Sequence, residues 1–292
     1  MKCMFEMRKI MFAYTGFAQV YDTFMDNVPY DMWTDYLHSL LKEYGVNEGL
    51  ILELGCGTGN VTRRLSKIGY DMIGIDFSEE MLEIAREKEY LADYGEEEIE
   101  EDIDESLAEV NDYNAPAILY LNQDMRDFEL FGTVAAVVCI CDGMNYITKE
   151  EDLIRVFKLA NNYLDKEGVF IFDLNTEYKY KNLLGDNVIA ENRENCSFIW
   201  ENYYDDVKKT NEYNMTIFLK QEDENEIFER FRETHIQKAY SLDTIKKLVE
   251  LAGMEFITAY DAFTRMPPKD NSERVYIVAR EKYQDDKKYI VY

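Results

Sequence analysis

The chain has 292 residues, 47% of them hydrophobic and 14% aromatic, which suffices for one large α/β domain or a core domain with an insertion. Its net charge of −27 repels polyanions, which argues against nucleic acid and against an acidic membrane surface as partners. Cys3, Cys56, Cys139, Cys141 and Cys196 are too scattered for a disulfide framework.

The first dozen residues, MKCMFEMRKIMF, hold no sustained apolar core of a signal peptide, and no apolar run approaches the ~18 residues of a membrane span. A cytoplasmic protein is expected. Tyr14–Met25 reads as a helix with Phe17, Val20, Tyr21 and Phe24 on one face. Asp31–Tyr44 is an amphipathic helix closed by Gly45, with His38 among polar neighbours as a solvated residue. Leu50–Leu54 is then an apolar run that suits a strand buried on both faces of a parallel sheet. It breaks into Gly55-Cys56-Gly57-Thr58-Gly59, and a helical pattern follows through Val61, Leu65 and Ile68. Strand, glycine turn and helix in that order set backbone N–H groups and a positive helix end beside a ligand.

The dinucleotide spacing G-x-G-x-x-G fails, because Asn60 stands three residues after Gly57, and no G-K-[ST] closes a phosphate loop. The pattern present is E-x-G-x-G-x-G, filled by Glu53, Gly55, Gly57 and Gly59. It resembles the first motif of the class I S-adenosylmethionine-dependent methyltransferases. That resemblance implies a Rossmann-like, doubly wound, mostly parallel seven-stranded α/β sheet and S-adenosylmethionine as cofactor, with S-adenosylhomocysteine as product. Many small-molecule members begin with a Y-x-x-(F/A)-x-x-Y-D segment that lies over the cofactor. Tyr14 and Tyr21 fit it, so residues 1–45 are expected to form a helical lid, the alternative being a helix simply packed on the domain.

Asp71–Asp76 is a second strand ending in an acid about twenty residues past the glycines, where a carboxylate can accept ribose hydroxyls. Ser78 reads as the N-cap of the next helix. "IGIDFSEEML" is similar to the family's second signature, which brings in Asp76, Phe77 and Met81. Leu91–Asn114 holds eleven acids and no base, and reads as an insertion, either solvated or a surface for a partner or cation. Ala117–Leu121 is a third strand. The resemblance gives Asp124 and Met125 after it a role at the adenine, the plain alternative being a polar turn.

Thr133–Cys141 is the fourth strand, with Cys139 and Cys141 at alternating buried positions and a metal reading disfavoured. Ligands in doubly wound sheets sit at such strand ends. The resemblance implies that Cys141 and Asp142 line the methionine or acceptor end, with Asn145 and Tyr146 close by. Asp142 is otherwise a helix-start acid before a Thr148–Glu151 capping box. Glu150–Leu164 is a helix, and Val169–Leu174 a fifth strand ending FDLNT. Ser197–Tyr204, Glu212–Lys220 and Ile227–Lys238 alternate apolar and polar residues, as antiparallel strands with one solvated face do. A helix at Ser241–Ala252 and a hairpin of Met254–Tyr260 with Arg274–Arg280 close the chain.

The expected organisation is a core of residues 46–180 and 239–282 carrying the insertion 91–114, an antiparallel substrate cap at 181–238 and a tail at 283–292. Methyl transfer from a sulfonium is an in-line displacement, so the protein's task is alignment plus removal of a proton from the acceptor. His235 on a cap strand is a candidate base or substrate contact, Tyr14 a second catalytic candidate, and Trp200, Tyr203 and Tyr213 candidates for an aromatic pocket suited to a cationic amine. No N-P-P-[YF] or D-P-P-Y follows the fourth strand, which argues against amino-group methylation of bases or glutamine. The expected activity is methylation of N or O on a small metabolite by a monomer or homodimer. The alternatives are a non-catalytic interaction protein using the acidic insertion and a protein methyltransferase.

Overall fold

The computed structural model describes residues 16–94, 118–221 and 227–283. Tyr14 and most of the acidic stretch lie outside the described residues. Two sheets organise the chain. In the first, β1 (Leu50–Leu54) is flanked by β2 (Asp71–Asp76) and β4 (Val134–Cys139). Beyond them lie β3 (Ile118–Asn122) on one side and β5 (Leu164–Asn175), β11 (Arg274–Arg280) and β10 (Glu255–Asp261) on the other. The order is β10-β11-β5-β4-β1-β2-β3. β1 to β5 run parallel, and β11 pairs antiparallel with both β5 and β10. Chain order reverses between β1 and β4, which creates the crevice that doubly wound folds use for ligands.

Alternation along the strands splits the core in two. Leu52, Leu54, Val137, Cys139, Phe170 and Phe172 face α5 (Glu150–Tyr163) and α6 (Leu242–Leu251). Ile51, Ala136, Val138, Val169 and Ile171 face α2 (Tyr30–Glu43) and α3 (Asn60–Ile68). α2 stops because Gly45 takes φ +93°, which lets Val46 N–H reach Leu41 O at 2.8 Å. Ser78 Oγ accepts from Met81 N–H at 3.3 Å and caps α4 (Glu79–Tyr94), so the first four residues assigned to the acidic insertion belong to this helix. The capping box that the alternative reading of Asp142 placed before α5 is absent: Lys149 is the N-cap and makes no side-chain cap bond.

The second sheet has four antiparallel strands, β6 (Val188–Asn192), β7 (Cys196–Asp205), β8 (Thr210–Lys220) and β9 (Phe228–Lys238), in that order. The alternation revealed three of them. β6 was missed because its side chains are nearly all exposed, so nothing imposes a period on its sequence. α1 (Gly16–Phe24) lies against this sheet, with Phe17, Val20 and Phe24 packed on Phe198, Tyr213, Met215 and Ile217. Among the described residues no helix is long and apolar enough to cross a membrane.

Candidate active site

The glycine turn leaves β1 with Gly55, Gly57 and Gly59 at φ +69°, +55° and +75°, values that L side chains rarely adopt. Its N–H groups are largely engaged within the protein. Gly55 and Cys56 N–H both donate to Ile75 O, at 2.8 and 3.0 Å, and Gly57 N–H donates to Asp76 Oδ2 at 2.8 Å. The turn is therefore not an open anion nest of the phosphate-binding kind. It is a tight, closed wall, and at Gly57 a Cβ would meet nothing within 4 Å. A Cβ at Gly55 would come 3.3 Å from Met125 Cε, so Met125 lies across the turn.

Two carboxylates frame the turn. Glu53 is buried and takes a hydrogen bond from the Thr62 hydroxyl at 2.5 Å. Burial, aided by Asp76, pushes its pKa up to about 8 against that bond. Asp76 at the end of β2 accepts from Gly57 N–H through one oxygen and from Ser78 N–H at 2.8 Å through the other, while burial raises its pKa.

Across the crevice, β4 ends at Cys139, and Cys141 and Asp142 take φ +63° and +58°. Cys141 is thus a turn residue and not an alternating strand position. Two successive non-glycine residues in the left-handed region are strained, and buried bonds hold them. Both N–H groups donate to the fully buried carboxylate of Asp173, at 3.1 and 2.7 Å. Arg274 pairs with Asp173 and reaches Asp142 Oδ1 at 2.8 Å, while Gln237 donates to Asp142 Oδ2 at 2.6 Å. Burial works against the Arg274 charge, yet Asp173 and Asp142 outweigh it and hold its pKa well above the ordinary value.

Facing this turn, the inner surface of the second sheet presents an aromatic wall. His235 stacks on Tyr213 with centroids 4.9 Å apart at 13°, and Trp200 lies 5.2 Å from Tyr213. Tyr146, from the helical turn Gly143–Tyr146, brings its hydroxyl to that of Tyr213 and within 3.3 Å of His235 Nδ1. His235 Nε2 lies 3.2 Å from Glu233 Oε2. α1 closes the gap between wall and turn. Its Phe17 sits 5.7 Å from the His235 ring, and half-buried Tyr21 sets its hydroxyl against Tyr30, with Cys141 and Asp142 near enough to raise its pKa beyond the effect of desolvation. Asp22 accepts from the Thr58 hydroxyl at 2.8 Å and from Asn60 Nδ2 at 2.7 Å, and pairs with Lys88 at 2.5 Å.

A model of a methyltransferase domain matches residues 51–105, the span that carries the glycine turn and Asp76. A putative methyltransferase of Bacillus subtilis, YqeM, is 32% identical over 269 residues, covering 92% of this chain and 97% of its own. The chain belongs to the class I S-adenosylmethionine-dependent methyltransferases. Among solved structures, an S-adenosylmethionine-dependent methyltransferase from Clostridium acetobutylicum superposes with a TM-score of 0.74 at 25% identity, over 91% of this chain and 97% of that one. The sugar N-methyltransferase KedS8 from Streptoalloteichus superposes with a TM-score of 0.68 at 16% identity, over 90% and 93%, and shares the fold alone.

The residues fit the family's cofactor. A glycine wall whose N–H groups are engaged suits a ligand without phosphates, and Asp76 stands oriented at the strand end with no cation paired to it among the described residues. The structure brings Glu53, Gly55, Cys56, Gly57, Asp76, Met125, Cys141, Asp142 and Tyr21 to one crevice, with Tyr146, Trp200 and His235 opposite. Other expected residues lie elsewhere. Asn145 is fully buried and uses its amide on Asn175 and Lys238 O, so it is a strut tying the turn to both sheets. Tyr203 stands half exposed on the outer face of β7, bonded to Glu201. Phe77 points outward at 79% exposure. Met81 is half buried on α4. Asp124, the neighbour of Met125 in the chain, is not among these: it stays beside the crevice residue and is held by Arg126 at 2.5 Å, which lowers its pKa. His38 is not merely solvated, since its Nδ1 meets the Tyr70 hydroxyl at 3.1 Å. Sequence reasoning missed Asp22, Asp173, Arg274, Gln237 and Glu233. The signals were faint: the D of the Y-D pair, the D of FDLN, and the same-face spacing of Glu233 and His235.

Proposed function

We propose that this methyltransferase transfers the methyl group of S-adenosylmethionine to nitrogen or oxygen of a small acceptor bound between the second sheet and the C-terminal edge of the first. In this reading Asp76 accepts the ribose hydroxyls, Asp124 and Met125 flank the adenine, and Glu53, Tyr21, Cys141 and Asp142 line the methionine end. The bound cofactor supplies an activated methyl on a sulfonium sulfur. The protein aligns the acceptor, excludes water with α1 and removes a proton on the His235 side.

The observation that carries this reading is the aromatic wall itself. Trp200, Tyr213, His235 and Tyr146 converge from four elements, three strands of the second sheet and the helical turn Gly143–Tyr146, on the side of the crevice opposite the glycine turn. Faces of this kind hold an amine or the apolar face of a small ring. The test is calorimetric titration of S-adenosylmethionine and S-adenosylhomocysteine, followed by transfer of labelled methyl to panels of amines, aminosugars and phenols and, separately, peptides. Label in a small acceptor supports the proposal. Label in peptides alone moves the activity to protein methylation, and absence of cofactor binding sinks the reading.

A further inference from the structure

His235 has both ring nitrogens engaged, one toward Tyr146 and one toward Glu233. We propose that Tyr146, not His235, meets the methyl acceptor, and that a directed hydrogen-bond chain from Tyr213 through Tyr146 and His235 to Glu233 takes the acceptor's proton. The proposal rests on the methyl-transfer reading above and names the group at that site which receives the proton.

The direction of the chain follows from its end. A carboxylate only accepts, so Glu233 Oε2 fixes the proton of His235 on Nε2. Nδ1 is then a lone pair and accepts the Tyr146 hydroxyl at 3.3 Å. With its own proton committed to Nδ1, the Tyr146 oxygen is an acceptor toward Tyr213, whose hydroxyl donates to it. One lone pair on the Tyr146 oxygen remains, and Tyr146 is the exposed member at 42%, whereas Tyr213 is buried. The chain therefore presents an acceptor atom to the crevice and suits a substrate that offers N–H or O–H.

In the reaction, Tyr146 Oη takes the acceptor's proton as it passes its own to His235 Nδ1. The methyl group replaces that proton on nitrogen or oxygen, and the S–CH3 bonding pair stays with sulfur. The resulting imidazolium is held by Glu233 and releases its proton to water. Desolvation of the packed hydroxyls raises the pKa of both tyrosines although the Tyr146 side chain is partly exposed, with Asp142 adding to it for each, so a concerted hand-over fits where a standing tyrosinate does not. Other groups facing the ring leave this direction intact. Phe17 from α1 carries no charge, and Asp142 is tied to Arg274 and Gln237.

The chain has two histidines, so selective 15N labelling of histidine gives two ring systems, and His38→Gln assigns them. Long-range 1H–15N spectra of the full-length protein with S-adenosylhomocysteine bound read the tautomer directly. The expected result is His235 as the Nε2–H tautomer with a hydrogen-bonded Nδ1. Glu233→Gln should mix the tautomers. Tyr146→Phe should shift Nδ1 toward an unbonded lone pair while the stack on Tyr213 keeps the ring in place. An Nδ1–H tautomer in protein that binds S-adenosylhomocysteine, or an Nδ1 signal indifferent to Tyr146→Phe, overturns the relay and leaves methyl transfer standing. Failure to bind S-adenosylhomocysteine overturns both.

Discussion

The two walls of the crevice are made of different materials. The glycine-turn wall is backbone and buried carboxylate, drawn from two adjacent parallel strands, and its N–H groups are largely satisfied within the protein. The opposite wall is side chain, with aromatic rings and one histidine brought together by antiparallel register, Tyr213 directly across from His235. A wall of the first kind holds one ligand by shape and fixed acceptors. A wall of the second kind can vary its rings without disturbing the backbone, which suits the side that decides the acceptor. Affinity for cofactor and rate of transfer should therefore come apart under mutation.

The largest effect should fall on rate alone. Tyr146→Phe and His235→Gln are each expected to lower kcat by about 10²- to 10⁴-fold with the acceptor that the small-molecule panel returns, the usual range for losing positioned proton transfer. S-adenosylhomocysteine affinity should stay at the wild-type value in the same preparations. Loss of cofactor affinity in either variant would mean that the two walls act as one. Arg274→Met attacks what the walls share. It leaves Asp173 buried beneath the Cys141–Asp142 turn with its charge uncompensated, and is expected to cost about 3–5 kcal/mol of stability, or about 10 °C in Tm. Asp173→Leu with Arg274→Met should recover only part of this, since Cys141 and Asp142 N–H then lose their acceptor.

Glu53 gives the cofactor wall a pH signature. Burial raises its pKa from the ordinary 4.5 to about 8 on folding, so its contribution is fully present below about pH 4.5 and is lost as pH rises through about 8. For the free protein that amounts to about 2–3 kcal/mol lost between roughly pH 6 and 9. Denaturant midpoints across that range should fall for wild type and stay nearly level for Glu53→Gln. Equal slopes in the two proteins would show that the proton is not on Glu53.

The same division decided what could be read from sequence. Glu53, Gly55, Gly57 and Asp76 come from one strand–turn–helix–strand run, so spacing alone brought them together. The parallel strands read clearly because burial on both faces leaves continuous apolar runs. Trp200 and Tyr203 could not be told apart, since both are aromatic residues on one strand and only the period of two, in the correct phase, sends one inward and the other to solvent. Asn145 is a polar residue beside the site whose whole bonding capacity is structural, which no local pattern reveals. Arg274 joins Asp173 and Asp142 from more than a hundred residues away, beyond any motif.

Asp76→Ala tests the cofactor wall by itself. Removing the carboxylate that holds Gly57 N–H, and to which we assign the ribose hydroxyls, should weaken S-adenosylhomocysteine by about 2 kcal/mol, roughly thirtyfold by calorimetry, with the fold retained by circular dichroism. Tyr203→Ala, on the outer face, should leave binding unchanged in the same assay.

The smallest effect asks to which wall α1 belongs. Its apolar face is packed on the second sheet, but its one carboxylate contact with the first is Asp22, which Thr58, Asn60 and Lys88 hold beside the glycine turn. Asp22→Ala leaves the apolar packing in place and frees the helix from the turn, and Lys88 keeps Thr58 O at 3.0 Å as a partner. Loss of one such charge-assisted contact is expected to weaken S-adenosylhomocysteine by about 1 kcal/mol, roughly fivefold, through faster release measured by stopped flow. If release is unchanged and only methyl transfer slows, α1 serves the acceptor wall, and the cofactor is retained by the glycine turn and Asp76 without a lid.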